Sequence, residues 1–198
     1  MKKIIKALSV SVCIIAVLLS ISSCSDTDSN VDEDSVIISA FADLYENAKV
    51  LNEAIYGGGF PPENTEESRA EYSVSHYCKV AEGCPYKNTD EFKNAINSTF
   101  SEEYAKSISE IMFSGLDYDS ELISGFQPRY KDIDGVLAVD ITYEGFTIST
   151  ELDIDTAAVI EKKSKSCIIK LKTVGTDDEV NVKMLKENGA WLIDSATY

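Results

Sequence analysis

The dominant hydrophobic period of this chain changes near Gly125, and that change fixes the fold class. Before it, apolar residues recur three and four apart; after it, they alternate with polar ones. From Ser35 to Tyr56, Ile37, Phe41, Leu44, Ala48, Leu51 and Ile55 fall on one face of a helical period. This predicts a long first helix, stopped by Gly57-Gly58-Gly59 and Pro61-Pro62 and followed by a polar loop over residues 57–70. A stripe of this length in a small domain packs on its own sheet rather than on a partner helix. Tyr72, Val74 and His76 alternate at the start of Glu71 to Pro85, predicting a short strand and a turn. Asn88-Thr89-Asp90-Glu91 is a capping cluster for a second helix with Phe92, Ala95, Ile96 and Phe100 on one face. Ser101-Glu102-Glu103 opens a third helix through Tyr104, Ile108, Ile111 and Met112, which stops near Gly115.

Beyond Gly125 the pattern is that of strands. Pro128 to Asp132 and Val136 to Tyr143 flank Asp134-Gly135, a turn pair that tolerates positive φ and predicts a hairpin. Further strands are expected at Thr147 to Ile154, Ala158 to Lys162, Ser166 to Val174, Glu179 to Lys186 and Ala190 to Ser195, the last two joined by Asn188-Gly189. Along Ser166 to Val174, Cys167, Ile169 and Leu171 alternate with Lys170 and Lys172, so one face is buried and the other wet. Helices first and a meandering antiparallel sheet afterwards is the α+β pattern: N-terminal helices packed on a curved antiparallel sheet.

The amino terminus has a different logic. Lys2, Lys3 and Lys6 precede an apolar stretch from Ala7 to Ile21, the pattern of an export signal. Ile21-Ser22-Ser23-Cys24 follows and resembles the lipobox of bacterial lipoproteins, with Ser23 standing where Gly or Ala is more usual. That resemblance implies cleavage before Cys24 and acylation of its thiol. The expected organisation is a signal peptide at 1–23, an acidic flexible tether at 24–34 and a single α+β domain at 35–198. Two or three acyl chains hold a protein at a membrane where one binds only reversibly. The expected location is therefore the extracytoplasmic face of the cell membrane, with the membrane itself as a partner through the lipid anchor.

Charge narrows the partners. The whole chain carries a formal −16, and removal of the three leader lysines takes it to −19. Such a surface repels nucleic-acid phosphates and anionic lipid heads and favours a basic partner. Catalytic chemistry is sparse. The sequence has one histidine, His76, so no site with two histidine ligands exists. His76 and Cys78 share a face if their stretch is a strand, but a half-buried structural histidine is the plainer reading. With Cys24 acylated, the mature chain keeps Cys78, Cys84 and Cys167. Cys78 and Cys84 flank a turn at Gly83-Pro85 in an exported protein, which predicts a disulfide between them and leaves Cys167 as a small buried residue. Glu151, Asp153 and Asp155 at two-residue spacing suit either a divalent cation or a hydrolase acid and base, but read more simply as a solvated acidic face. Tyrosines such as Tyr72, Tyr77, Tyr130 and Tyr143 suit a concave pocket or a protein-binding surface. No metal or cofactor is expected, and the chain is not expected to be an enzyme.

Two resemblances sharpen this. The helices followed by long strands ending in Asn188-Gly189-Ala190-Trp191-Leu192-Ile193-Asp194-Ser195 resemble nuclear-transport-factor-like or cystatin-like rolls, a likeness of fold and not of function. More narrowly, four segments are similar to the small Gram-positive cell-envelope proteins grouped with the DL-endopeptidase inhibitors, the IseA family. They are Tyr77-Cys78-Lys79-Val80, Tyr86 through Lys93, Thr99 through Tyr104 and Arg129 through Leu137. That resemblance implies a non-catalytic protein that restrains peptidoglycan-cleaving enzymes, with a basic cell-wall hydrolase as partner. The competing expectations are a small-molecule-binding or enzymatic roll, marked by a deep pocket, and a structural envelope module, marked by a filled interior.

Overall fold

The computed structural model describes residues 32–63, 76–115, 127–148 and 150–198. The leader and Cys24 lie outside them, as do Tyr72 and Val74. Helix α1 spans Glu33–Ile55, and strand β1 spans Tyr77–Lys79. Helix α2 spans Thr89–Thr99, and helix α3 spans Glu102–Ser109 and runs on into a π-helical turn over Glu110–Ser114. Strands β2 (Tyr130–Ile133) and β3 (Val136–Asp140) form the first hairpin. The chain ends with β4 (Leu152–Lys162), β5 (Ser166–Thr173), β6 (Glu179–Glu187) and β7 (Ala190–Ile193). The class is α+β. The strands divide between two antiparallel sheets, one in the order β1-β3-β2 and one in the order β4-β5-β6-β7.

Helix α1 begins two residues earlier than the periodicity indicates. Asp32 caps it by accepting from the Asp34 N–H at 3.2 Å, and Glu33 and Asp34, assigned by sequence to the tether, form its first turn. Acids are favoured there because the unpaired N–H groups of a helix start carry positive partial charge. The buried face holds Ile37, Phe41, Ala48, Leu51 and Ile55 as expected, while Leu44 is only half-buried. Tyr45 takes the inward place beside it, with its ring stacked on Phe41 and its hydroxyl accepting from the Leu152 N–H at 2.8 Å. A polar tip that finds a backbone partner lets a large ring be buried.

Asn88 caps α2 by accepting from the Glu91 N–H at 2.9 Å, and the Glu91 carboxylate reaches back to the Lys87 N–H at 2.8 Å. Ser101 stands at the cap position of α3 but spends its hydroxyl elsewhere. It donates to the Asp194 carboxylate, while the Ser101 N–H donates to the Ile193 carbonyl at 2.8 Å, which ties the helices to the end of β7.

The turns Asp134-Gly135 and Asn188-Gly189 adopt positive φ at both residues, as the hairpins require. The two strands expected on either side of residues 155–157 are one strand, β4, with irregular pairing to β5 between Asp153 and Ala158 and between Val159 and Glu161. Asp153 accepts from the Asp155 N–H at 3.2 Å, and the Thr156 hydroxyl donates to the Asp153 carbonyl at 2.6 Å, so a local turn becomes a bulge.

One buried cluster joins the layers. Ile37, Phe41, Leu51 and Ile55 of α1 meet Phe92, Ile96 and Phe100, Leu137 and Val139 of β3, and Ile169, Val182, Met184 and Ile193 of the larger sheet.

Candidate functional site

The α1 carboxyl end holds the most polar part of the interior. No basic residue lies in the last turn of α1, yet a cation arrives from elsewhere. Arg129, 2% exposed, donates from one terminal nitrogen to the Ile55 carbonyl at 2.6 Å and from the other to the Gly57 carbonyl at 2.7 Å. Its guanidinium lies 4.1 Å from the centre of the Tyr143 ring. Tyr130 stands beside it, donating to the Ala54 carbonyl at 2.8 Å and accepting from the Phe60 N–H at 3.1 Å. Burial pushes the Tyr130 hydroxyl up to about 12 despite the opposing effect of Arg129. Four of the last carbonyls and turn groups of α1 are thus satisfied by side chains of the second half of the chain. Tyr130 and Tyr143, candidates for a pocket lining, seal a helix end instead.

The other sequence candidates are dispersed. His76 is exposed, at φ 60 just before β1, whereas Cys78 is 3% exposed within it. The positive φ breaks the alternation that would have put the two on one face, so the Cys-His pair is not assembled. Nor is the histidine half-buried. Cys78, Cys84 and Cys167 stand as free thiols. Cys78 points inward from a strand paired with β3 and donates to the Glu63 carbonyl at 3.4 Å. Cys84 lies beyond a turn closed by its own N–H to the Ala81 carbonyl at 3.2 Å, half-buried, with burial raising its thiol. Among the described residues no group of three His, Cys, Asp or Glu side chains could hold a metal ion. Among them also, no helix is long and apolar enough to cross a membrane.

What the fold does assemble is a charge polarity along the four-stranded sheet. Asp153 pairs with Lys172 at one end of the β4–β5 ladder and Lys162 pairs with Cys167 at the other, about 17 Å away along the regular strand β5. The first end gathers Glu151, Asp153 and Asp155 with Asp177, Asp178 and Glu179 of the β5–β6 turn. Lys172 contacts Asp177 and Lys170 contacts Glu179, both at 3.1 Å, so the acids outnumber their partners. The second end gathers Lys162, Lys163 and Lys165 in the β4–β5 turn, and the Lys186 N–H donates to the Lys165 carbonyl at 2.9 Å. A cleft of about 100 Å³ opens there, lined by Glu161, Lys162, Lys163, Ser166 and Lys183 among others.

Helix α1 is fixed against this polarity at two points. Lys162 grips Asp34 at 2.6 Å and Glu33 at 3.1 Å, and Tyr45 meets Leu152. The helix therefore runs antiparallel to β4, with its amino terminus at the lysine end. The sequence shows both charge clusters, but only the hairpin register reveals that they mark opposite ends of one sheet. Comparison with known proteins finds no family model and no curated protein that matches the chain.

Proposed function

We propose that this is a lipid-anchored, non-catalytic binding protein of the extracytoplasmic membrane face, which restrains a basic peptidoglycan hydrolase of the DL-endopeptidase class. The observation that carries the reading is the sheet polarity. Helix α1 starts at the lysine end, so the acidic end with Glu151, Asp153, Asp155, Asp177, Asp178 and Glu179 is the end of the sheet opposite the start of α1 and is open to a basic partner. A mature charge of −19 and the similarity of the Tyr77–Val80, Tyr86–Lys93, Thr99–Tyr104 and Arg129–Leu137 segments to the endopeptidase-inhibitor family support it. The interior supports it too. The side chains that face each other between α1 and the sheet, including Phe41, Leu51, Ile169 and Val182, are each no more than 1% exposed, which favours an outer contact over an enclosed ligand.

The test is direct. The mature chain slows peptidoglycan cleavage by an endogenous DL-endopeptidase in a dose-dependent way, and the inhibition weakens as salt rises, with the hydrolase's own salt response measured in parallel. Charge complementarity acts mainly on the association rate, and exposed charges are screened beyond about 8 Å at physiological ionic strength. No effect on any wall hydrolase of the same cell at low salt, and no capture of one in a pull-down, overturns the proposal. Anchoring has its own test: Cys24→Ala moves the protein from the membrane fraction to the medium or leaves the leader uncut.

A further inference from the structure

We infer that the β4–β5 turn is a membrane-docking surface, in which Lys163 and Lys165 meet the phosphates of anionic lipid headgroups and set the domain upright on its own bilayer. The inference rests on the anchored reading of Cys24 and adds an orientation to it. Three observations carry it. First, α1 begins nine residues after Cys24, so at most about 32 Å of chain separates the attachment from the start of the helix. Second, Lys162 ties the β4–β5 turn to that entry point through Asp34 and Glu33. This contact also pairs two of the acids at that entry point. Third, Lys163 and Lys165 are exposed and form no ion pair among the described residues, and Lys163 borders the phosphate-sized cleft with Ser166, Lys162 and Lys183. Lys183 is held by Asp194 at 2.5 Å and Lys162 by Asp34 and Glu33, so Lys163 is the cation of the cleft lining left to a ligand, with Lys165 two residues on in the same turn.

The rest of the molecule makes the surface directional. A strongly acidic body is repelled by an anionic membrane, and its acidic sheet end is repelled most. A tethered domain therefore rotates until its lysine end faces the lipid. The lysines do not hold the protein at the membrane, which the acyl chains do; they select which end points outward.

Lysine footprinting of a membrane-held chain reads this out. The leaderless chain, residues 24–198 with an N-terminal hexahistidine tag, is attached to nickel-chelating vesicles of either phosphatidylglycerol or phosphatidylcholine. It is then acetylated briefly with a water-soluble ester and analysed by peptide mass spectrometry. On phosphatidylglycerol, Lys163 and Lys165 react about fivefold more slowly than on phosphatidylcholine, the size of effect for a lysine held at an anionic surface, and high salt removes the difference. Lys172, at the acidic end of β5, reacts alike on both. Equal rates for Lys163 and Lys165 on the two lipids overturn the inference, as does equal protection of Lys172. Inorganic phosphate giving the same protection without vesicles also overturns it, assigning the cleft to a free anion. Because nickel supplies the attachment, this result is independent of acylation in the cell. The Cys24→Ala fractionation reports on the anchor separately.

Discussion

The Arg129 guanidinium donates to the Ile55 carbonyl at 2.6 Å, across 74 residues of sequence, and so closes the end of α1 with a cation from the strand half of the domain. A helix C-terminus attracts positive charge, and here the charge is also stacked on Tyr143 and removed from water. The contact joins the three-stranded sheet to the helix that packs on the four-stranded one. Arg129→Met removes both donors and leaves the Ile55 and Gly57 carbonyls buried without them, at a cost of about 3 kcal/mol. Arg129→Lys recovers little of this, because one ammonium cannot reproduce the planar fork that spans both carbonyls. Urea unfolding checks it: the midpoint falls in both variants with the slope unchanged. A midpoint within experimental error of the parent for Arg129→Met would remove the helix-end role.

Gly145 lies against the same turn from the other side. A β-carbon built there would stand 1.7 Å from the Gly57 carbonyl oxygen and 2.8 Å from that of Tyr56. Both are backbone atoms that cannot swing away, and the Phe146 N–H to Tyr56 carbonyl bond at 3.0 Å holds the segments together. Gly145→Ala therefore pushes the residue 143–146 segment off α1 and costs about 2 kcal/mol, within the range for overpacking. At Gly175, by contrast, an added β-carbon meets nothing within 4 Å, and only the positive φ of +80 resists it. The thermal midpoint orders the pair: Gly145→Ala lies below Gly175→Ala. The reverse order would show that the loop yields without loss.

Much of this fold can be read locally, and what cannot be read is nonlocal. Asp134-Gly135 and Asn188-Gly189 identify their hairpins because turn type depends on the two residues themselves. The Asn88 cap and the Phe92-Ile96 face identify α2 for the same reason. Arg129 escapes such a reading. A single arginine before a strand looks like a surface cation, and its burial depends on a triple glycine far upstream that brings carbonyls within reach. The faint signal was the absence of any basic residue in the last turn of α1. Tyr45 escapes as well, because the helical stripe through Leu44 leaves it at the margin, although its hydroxyl has a strand N–H to meet. The charge clusters were visible as residues, but their opposition along the sheet depends on strand register.

Alkaline pH acts on the buried tyrosines. Burial raises Tyr130 from the usual 10.0 to about 12, and Tyr77 to about 12 with Asp140 adding to the effect. In the unfolded chain these hydroxyls lose their protons near the usual value, so between the two values the unfolded state binds fewer protons than the folded one. Stability from this source is fully present below about pH 10 and falls as pH rises toward about 12. The loss for Tyr130 alone approaches about 3 kcal/mol once pH passes the raised value. Urea midpoints measured from about pH 9 to about pH 11 decline, and Tyr130→Phe, although less stable throughout, declines less steeply. Equal slopes for parent and variant would place the alkaline loss elsewhere.

The thiols give the most direct reading of the core. Cys84 is half-buried on a turn, whereas Cys78 and Cys167 are 3% and 2% exposed within strands. Burial, with Asp34 adding to it, pushes the Cys167 thiol from 9.0 up to about 11, so its reactive thiolate is scarcer by about a hundredfold at neutral pH. Cys84 is raised as well, by burial that its hydrogen bond with the Tyr86 backbone partly offsets, but its position gives a reagent access. Alkylation of the native protein under non-reducing conditions therefore labels Cys84 first, and labels Cys78 and Cys167 only as the domain opens, at a rate that rises with urea. Peptide mass mapping of the same samples finds no cross-linked pair. A peptide joining Cys78 to Cys84 would establish the bridge expected from their spacing, and labelling of Cys167 as fast as Cys84 would mean that β5 does not sit in the core as described.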